Sequence, residues 1–310
     1  MSATFIVILV LAGAAVISLA AGWLIAERGH FLLPSSRKFI PGINFHPTIA
    51  FKSLLTYIYH RFPNLVLGFL INVVHPYLNG PFKKYVREHY HGKVLTQELA
   101  EAVINLDHEI PLRDLGQHVI PYPTARDILL QLPLDIVAYE CSCRSARPKH
   151  CVPTQVCLII GKPFTDFALE HHPRQSKRLT KEEAIQLLRE EHQRGHVHNA
   201  FFKEDRLNRF YVICNCCPCC CGGLEAMLKY HNPMIASSGY VAQVDSGLCI
   251  ACGVCVESCP TGALAAHSEA VVEWDKCIGC GICVSRCNQD AISLQLDERK
   301  GKPLDVSSIF

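Results

Sequence analysis

The first hydrophobic feature of the chain is a run of 23 residues without a charged side chain, from Thr4 to Ala26. As a helix with about 1.5 Å per residue it reaches roughly 34 Å, which crosses the hydrocarbon core of a bilayer. Arg28, Arg37 and Lys38 follow the run, and positive residues favour the cytoplasmic side. We predict an anchor over residues 1–28 that crosses the inner (cytoplasmic) membrane once and leaves the bulk of the chain in the cytoplasm.

A secretory signal peptide is the alternative interpretation of this run. Residues 18–20, Ser-Leu-Ala, are similar to a small-residue cleavage site. However, no Lys or Arg precedes the run, and the apolar sequence continues through Trp23 to Ala26. The transmembrane helix is therefore the preferred prediction.

A second apolar stretch, Leu65 to Val74, lies between Pro63 and Pro76. It is too short to span a membrane. Two interpretations remain open, a helix lying at the membrane surface and an ordinary buried helix of the core.

Two later segments have helical periodicity. The segment Thr96 to Asn105 carries Leu99 and Val103 at helical spacing, which predicts an amphipathic helix. A second helix is predicted over Lys181 to Arg194, because Thr180 and Glu183 form a capping box and Gly195 can end the helix.

These patterns predict an α+β protein of successive parts. They are a transmembrane anchor (1–28), a mainly helical membrane-proximal region (29–135), a cysteine-rich module (136–240), a small C-terminal domain (241–298) and a tail (299–310).

Composition excludes several classes of function. Hydrophobic residues make up 49% of the 310 positions, so the chain is not a disordered protein. A formal net charge of +2 provides no basic field for nucleic acid. No Gly-x-Gly-x-x-Gly follows a strand and no Walker sequence occurs, so no nucleotide site is predicted. No catalytic constellation is evident, which favours an electron-transfer partner of an oxidoreductase over a stand-alone enzyme.

The chain contains 18 cysteines, and all of them lie between Cys141 and Cys287. Such density indicates either a disulfide framework or thiolates around metal. The cysteines cluster at intervals of two and three residues, and adjacent ones such as Cys216 and Cys217 cannot easily pair. Metal binding is therefore the better interpretation.

One cysteine pattern, C-x-x-C-x-x-C-x-x-x-C, occurs twice with an offset of 28 residues. Each tight loop carries small residues, here Gly253, Gly279 and Gly281, which let backbone amides turn toward cluster sulfurs. The fourth cysteine of each run ligates the other cluster. The predicted ligands are Cys249, Cys252, Cys255 and Cys287 for cluster one, and Cys277, Cys280, Cys283 and Cys259 for cluster two.

Over about 50 residues this pattern resembles the bacterial dicluster [4Fe-4S] ferredoxins, so residues 241–298 are predicted to form a dicluster ferredoxin-like domain. The resemblance implies two [4Fe-4S] clusters held by two short hairpins and two short helices, and a redox protein as partner. One departure is Asn288, which stands where the first repeat has Pro260, so the surroundings of Cys287 are expected to differ.

Ten further cysteines lie in the middle of the chain, on both sides of the predicted helix Lys181 to Arg194. We interpret them as one metal site whose ligand subset is open: Cys141, Cys143, Cys151, Cys157, Cys214, Cys216, Cys217, Cys219, Cys220 and Cys221. A third iron–sulfur cluster is preferred, with structural zinc and redox-active or disulfide-forming thiols as alternatives. The segment Ile213 to Gly223, with Cys141-Ser-Cys-Arg144 upstream, resembles a segment of multi-cluster iron–sulfur proteins of anaerobes. That resemblance implies no activity.

Histidines and arginines near these cysteines are secondary candidates. The pairs His171-His172 and His196-x-His198 are interpreted mainly as ordinary polar residues rather than ligands. Arg144 and Arg147 could tune a cluster by their charge, although solvated arginines are common.

The sequence predicts a membrane-anchored protein that passes single electrons between redox partners. In one alternative, the middle cysteine site reduces a disulfide or a small molecule. In a second, the middle motif is a redox sensor or a cluster scaffold.

Overall fold

The computed structural model describes residues 13–22, 33–39, 57–74, 76, 90–106, 134–203, 209–232 and 234–304. The chain divides into two units, Met1–Tyr57 and Ile58–Phe310. In the first unit, helix α1 (residues 13–22) covers part of the predicted anchor, and the rest of that segment lies outside the described residues. Helix α2 (Pro34–Phe39) follows. No helix in the described ranges has both the length and the apolar character needed to cross a membrane.

The helices of the second unit are short except for one. After a helical turn at 58–61 they are α3 (Pro63–Phe69), continued by a π-helical turn (Leu70–Val74), α4 (Gln97–Ile104), α5 (Ser142–Ser145), α6 (Phe164–His171), α7 (Lys181–Gln193), α8 (Gly222–Leu228), α9 (Val254–Ser258), α10 (Ile282–Arg286) and a 3-10 turn (Glu298–Lys300).

A seven-stranded sheet organises the cysteine-rich part of this unit. Its strands are β1 (Tyr90–Leu95), β2 (Ile136–Glu140), β3 (Gln155–Ile160), β4 (Ser176–Leu179), β5 (Val197–Lys203), β6 (Arg209–Cys216) and β7 (Ile235–Ala236). Their order across the sheet is β4-β2-β3-β6-β5-β1-β7, and every pairing is antiparallel except that of β1 with β7. The architecture is a mixed α/β one.

The region predicted to be mainly helical, residues 29–135, also contributes a strand. Strand β1 pairs with β5 inside the sheet, while α4 packs beside it. The main core between sheet and helices is formed by fully or almost fully buried residues, among them Leu95, Ile104, Ile136, Leu158, Leu188 and Ile213. Leu304, in the predicted tail, packs into the same core.

Helix α7 confirms the predicted capping box. The Glu183 backbone N–H donates to Thr180 Oγ1 at 3.2 Å, and the Thr180 N–H donates to Glu183 Oε2 at 2.9 Å. The helix ends at Gln193, and Gly195 follows its C-cap Arg194 with a left-handed φ of +82°, in the terminating position predicted for it. The His196 N–H donates to Glu191 O at 3.0 Å, and this Schellman-type closure brings those two residues together.

Replacing Thr180 by alanine is expected to lower the free energy of unfolding by about 1 kcal/mol, because the cap acceptor is lost. The urea midpoint of the anaerobic protein, at unchanged slope, measures the effect. Thr180→Ser keeps a hydroxyl and is the matched control, expected to remain close to wild type. A serine variant as unstable as the alanine variant would contradict the capping role.

The stretch Leu65 to Val74 has properties of both interpretations. Ile71 is 2% exposed, and its side chain packs so closely on Gly222 that an added Cβ there would lie 2.7 Å from it. Leu65, Phe69 and Val73 recur every fourth position and remain exposed. One face therefore packs on the start of α8, while the other presents an apolar stripe.

The predicted ferredoxin-like domain contains two two-stranded sheets and two short helices. Strands β9 (Leu264–Ala266) and β10 (Ala270–Val272) form a hairpin. The second sheet differs from the expected hairpin, because β8 (Tyr240–Val244) pairs with β11 (Ile292–Leu296) at the other end of the domain. Gly253 and Gly281, with φ near +80°, precede α9 and α10 at equivalent positions of the two repeats.

Candidate metal centres

One cavity collects the four ligands predicted for cluster two. Its lining includes Cys277, Cys280 and Cys283 of the second motif and also Cys259 and Pro260 of the first motif. Burial, and then the neighbouring thiols of Cys277 and Cys259, raise the pKa of Cys283 to about 12. An enclosed set of four sulfur donors therefore fits a [4Fe-4S] cluster, whose irons compensate the thiolate charge.

The four ligands predicted for cluster one are also gathered. Burial raises the pKa of Cys255, and the nearby thiols of Cys252, Cys249 and Cys287 add to the rise. The Ala270 N–H donates to Cys249 Sγ at 3.4 Å, while near the other set the Ala263 N–H donates to Cys259 Sγ at 3.2 Å. Such hydrogen bonds stabilise thiolate charge and tune cluster potentials.

The two loops differ in their exposure. In the first loop Cys252 is exposed, and Ile250 is 64% exposed. The equivalent Ile278 is only 8% exposed. Asn288 is exposed, whereas its counterpart Pro260 is buried, so the predicted difference around Cys287 is a difference in access to solvent.

The second loop is buried because it packs on the cysteine-rich module. Ser238 Oγ donates to Gly279 O at 2.7 Å, and the Ser238 N–H donates to Ile278 O at 3.0 Å. In the α7–α10 contact, the Arg286 guanidinium donates to Gln193 O. The second loop therefore faces the module, and the first loop faces outward.

Glycine is required in the second loop but not at the equivalent place in the first. Gly279 has a left-handed φ, and a Cβ there would overlap Tyr240 O and Ser238 Oγ. Its counterpart is Ala251, which carries a Cβ at a left-handed φ of 53°. The contact with residues 238–240 therefore distinguishes two otherwise equivalent loops.

The substitution Gly279→Ala is expected to destabilise the domain. A left-handed φ alone costs alanine roughly 1–2 kcal/mol, and the loss should be well above this because the backbone at Tyr240 must also move to make room for the Cβ. The reverse change, Ala251→Gly, is expected to be neutral or stabilising within about 1 kcal/mol. Urea midpoints and the visible absorbance of the anaerobic protein measure both. Equal, small effects of the two variants would contradict the close approach at Gly279.

The structure brings the two groups of middle cysteines together but sorts the ten thiols into two sets. Six form a closed ring, in which each thiol interacts with the next in the order Cys141, Cys143, Cys221, Cys216, Cys214, Cys157 and back to Cys141. Four of the six are buried and two are half-buried. We call this set the thiol ring.

Sheet register explains much of the thiol ring. Leu158 pairs with Ile213 across β3 and β6, so Cys157 lies beside Cys214, and Cys216 lies two residues further on the same face. Cys141 follows β2 and donates its backbone N–H to Thr154 O at 2.7 Å. Within the ring, the Cys214 thiol and then the Cys221 thiol lower the pKa of Cys216 to about 7.

The other four middle cysteines form a compact set, which we call the thiol quartet. Cys151, Cys217, Cys219 and Cys220 have Sγ atoms that all lie within 4.8 Å of one another. The Sγ atoms of Cys151 and Cys219 are 2.7 Å apart, and those of Cys219 and Cys220 are 3.5 Å apart. The quartet joins the loop after α5 to the turn after β6, and Cys219 is exposed.

A buried ion pair lies next to both thiol sets. Arg144 and Glu191 are fully buried, and Arg144 Nη2 donates to Glu191 Oε2 at 2.7 Å. The same nitrogen donates to Asn215 O at 3.1 Å, and the positive charge of Arg144 interacts with the thiols of Cys217 and Cys141. Although burial opposes it, hydrogen bonds from His196 and Arg144 lower the pKa of Glu191.

This network was only partly anticipated from the sequence. Arg144 was a candidate for its charge alone, and Glu191 was not singled out, since it is one of several glutamates on a polar helix. Arg147 also contacts the quartet, because its Nε donates to Cys220 O at 3.4 Å. One signal in the sequence could have indicated that Glu191 points toward the interior. This glutamate lies three residues before the C-cap of a helix that a glycine terminates, where the chain folds back onto the helix.

The histidines have structural partners. His171 stacks on Phe167 with ring centroids 4.0 Å apart. His172 Nε2 lies 2.8 Å from His60 O, and burial lowers its pKa to about 4. His196 Nδ1 lies 2.7 Å from Glu191 Oε2, and His198 Nδ1 lies 2.6 Å from Asn215 Oδ1.

Comparison with known proteins concerns the C-terminal region. Residues 242–265 and 270–293 each match the family model described as a 4Fe-4S binding domain. No curated protein and no solved structure gave a match. The two matched stretches contain the two cysteine motifs, so two [4Fe-4S] clusters are the cofactors of this region, as predicted.

Proposed function

We propose that this protein is a membrane-anchored electron-transfer protein that passes single electrons between redox partners. The observation that supports it is the pair of crossed thiol sets, one opening outward at Cys252 and one facing the cysteine-rich module. When bound, [4Fe-4S] clusters accept and donate one electron each. The cysteines hold them, and backbone amides such as that of Ala270 tune them.

The first loop also supports a role in meeting a partner. Leu248, Ile250 and Val254 are between 40% and 64% exposed, and they flank the exposed Cys252 in the sequence. An apolar rim around a cluster loop suits a transient contact with a redox protein. We assign partner contact to this rim.

Reversible redox cycling distinguishes the proposal from its alternatives. Anaerobic full-length protein is titrated with dithionite and followed by EPR, with iron and sulfide counted before and after. Two centres that each take up one electron and reoxidise without loss of iron support electron transfer. Loss of iron to an added apoprotein would favour a scaffold, and a third signal altered by an added disulfide would favour the catalytic alternative.

Anchoring in the inner (cytoplasmic) membrane, with the bulk of the chain in the cytoplasm, is part of the proposal. It rests on the uncharged run from Thr4 to Ala26, within which Val16, Ile17 and Leu19 are exposed apolar residues of α1. The stripe of Leu65, Phe69 and Val73 would suit the membrane surface in the same way.

Carbonate extraction of membrane vesicles tests the anchor. Wild type and Ile17→Leu are expected to stay in the membrane fraction. A double variant, Val16→Arg with Ile17→Arg, is expected to shift to the soluble fraction, because each central arginine opposes insertion by about 2.5–3.5 kcal/mol. Extraction of the wild type itself would remove the membrane part of the proposal and leave electron transfer intact.

A further inference from the structure

The ten middle cysteines are placed by different parts of the chain according to the set they belong to. The thiol ring is built by residues of strands β3 and β6, by Cys141 and Cys221 directly before α5 and α8, and by Cys143 inside α5. The thiol quartet is built by the loop at Cys151 and the turn at residues 217–220. Members of the two sets alternate along the chain. Residues 214 and 216 belong to the thiol ring, whereas residues 217, 219 and 220 belong to the thiol quartet.

The spacing of the sulfur atoms separates the two sets. A single ion with Zn–S bonds of about 2.3 Å needs its sulfurs roughly 4 Å apart. The Sγ atoms of Cys151 and Cys220 already have this separation, at 4.0 Å, and binding would widen the 2.7 Å separation of Cys151 Sγ and Cys219 Sγ. Among the described residues, the quartet is the place where three or more metal-ligand atoms lie within 4.8 Å of one another. The thiol ring does not meet this limit, and neither do the eight ferredoxin cysteines, which serve [4Fe-4S] clusters.

The interior position of the ring is a second observation. Four of its six cysteines are buried. Cys143 Sγ lies close to Gly222, 3.9 Å from the position that a Cβ would occupy there, and Ile71 packs on the same glycine. Six sulfur donors enclosed in this way have Arg144 as a neighbouring buried cation. Several metal ions bridged by sulfide would supply the remaining positive charge and satisfy all six donors.

We propose that the thiol ring binds a polynuclear iron–sulfur cluster and that the thiol quartet separately binds one tetrahedral metal ion. The donors are all sulfur, which selects iron or zinc over magnesium and calcium. The quartet ion ties the loop at Cys151 to the turn after β6, and the ring cluster is a third iron–sulfur centre of the chain. This division does not depend on the proposed electron-transfer function.

The ratio of metal to sulfide in wild type tests the proposal directly. Full-length protein is purified anaerobically, and iron, zinc and acid-labile sulfide are counted per chain. The ferredoxin clusters account for about eight irons and eight sulfides, and a ring cluster with equal iron and sulfide adds at least about four of each. At least about twelve sulfides are therefore expected, with about one metal ion in excess over sulfide. Eight sulfides would overturn the ring site, and equal numbers of metal and sulfide would overturn the quartet site.

Paired variants then test whether the sites are separate. Cys157→Ser with Cys214→Ser is expected to bring sulfide down to about eight and to keep the single ion. Cys151→Ser with Cys219→Ser is expected to lose one metal ion and no sulfide. The two ferredoxin EPR signals report that each variant is folded. If both variants lose the same metal and sulfide, the division into two sites is wrong; if either variant does not fold, the wild-type ratio decides.

Discussion

Replacing Cys259 by alanine is expected to abolish cluster two, although Cys259 lies in the first cysteine motif. The reason is geometric, because Cys259 lines the same cavity as Cys277, Cys280 and Cys283. About four irons and four sulfides per chain belong to that cluster. EPR of the dithionite-reduced, anaerobic protein is the measurement, and the signal of cluster two should disappear.

Two comparison variants make this result decisive. The spectrum that remains in Cys259→Ala should match that of Cys280→Ala, since both lose the same cluster. It should differ from that of Cys252→Ala, which removes a ligand of cluster one. Ser258→Ala changes the neighbouring residue, whose hydroxyl donates to Cys255 O at 3.3 Å, and should keep both signals. A match between Cys259→Ala and Cys252→Ala would show that ligation is not crossed.

Replacing Glu191 by alanine is expected to lower the free energy of unfolding by about 3–5 kcal/mol, because it leaves the buried Arg144 charge without its counter-ion. Both side chains are at most 1% exposed. The carbonyl groups that Arg144 also contacts accept hydrogen bonds but carry no net charge. The urea midpoint of the anaerobic protein reports the loss.

The neighbouring residue on the same helix provides the matched control. Glu190 pairs with Arg194 at 3.6 Å, and both side chains are about 40% exposed or more. Glu190→Ala is therefore expected to cost no more than about 1 kcal/mol. Comparable losses for Glu190→Ala and Glu191→Ala would mean that the buried pair has no special role. The double change Arg144→Met with Glu191→Leu should recover part of the stability, since it removes both buried charges.

The buried pair also relates the two halves of the second unit. Glu191 lies near the C-terminal end of α7, and that end contacts Arg286 of α10 through Gln193 O. Arg144, at the other end of the pair, neighbours both the thiol ring and the thiol quartet. The same helix end therefore contacts the helix that carries Cys283 and supports the middle thiols.

Features with a local physical cause were predictable from the sequence. The capping box at Thr180 and the amphipathic helix after Thr96 follow from hydrogen bonds and spacing within one turn, and both were confirmed. The two cluster motifs are equally local, because three of four ligands lie on a loop of seven residues. Consequently the cofactors of the C-terminal region were predicted correctly.

Features that depend on pairing between distant segments were not predictable. The seven-stranded sheet joins β1 to β5 across about 100 residues of sequence, and residues 29–135 had been interpreted as mainly helical. The predicted domain boundaries remain predictions, and the tail beyond residue 298 contributes Leu304 to the main core. Short, mixed strands have no periodicity strong enough to reveal these pairings.

By itself, the sequence determined that thiolates bind two [4Fe-4S] clusters, since spacing within each loop places their ligands. Only the tertiary structure decided how the ten middle cysteines divide. Cys216 and Cys217 are neighbours in sequence but belong to different sets, because Cys216 is the last residue of β6 and Cys217 belongs to the turn that follows it. Strand register, a property of the whole sheet, therefore decides which thiols can share a metal.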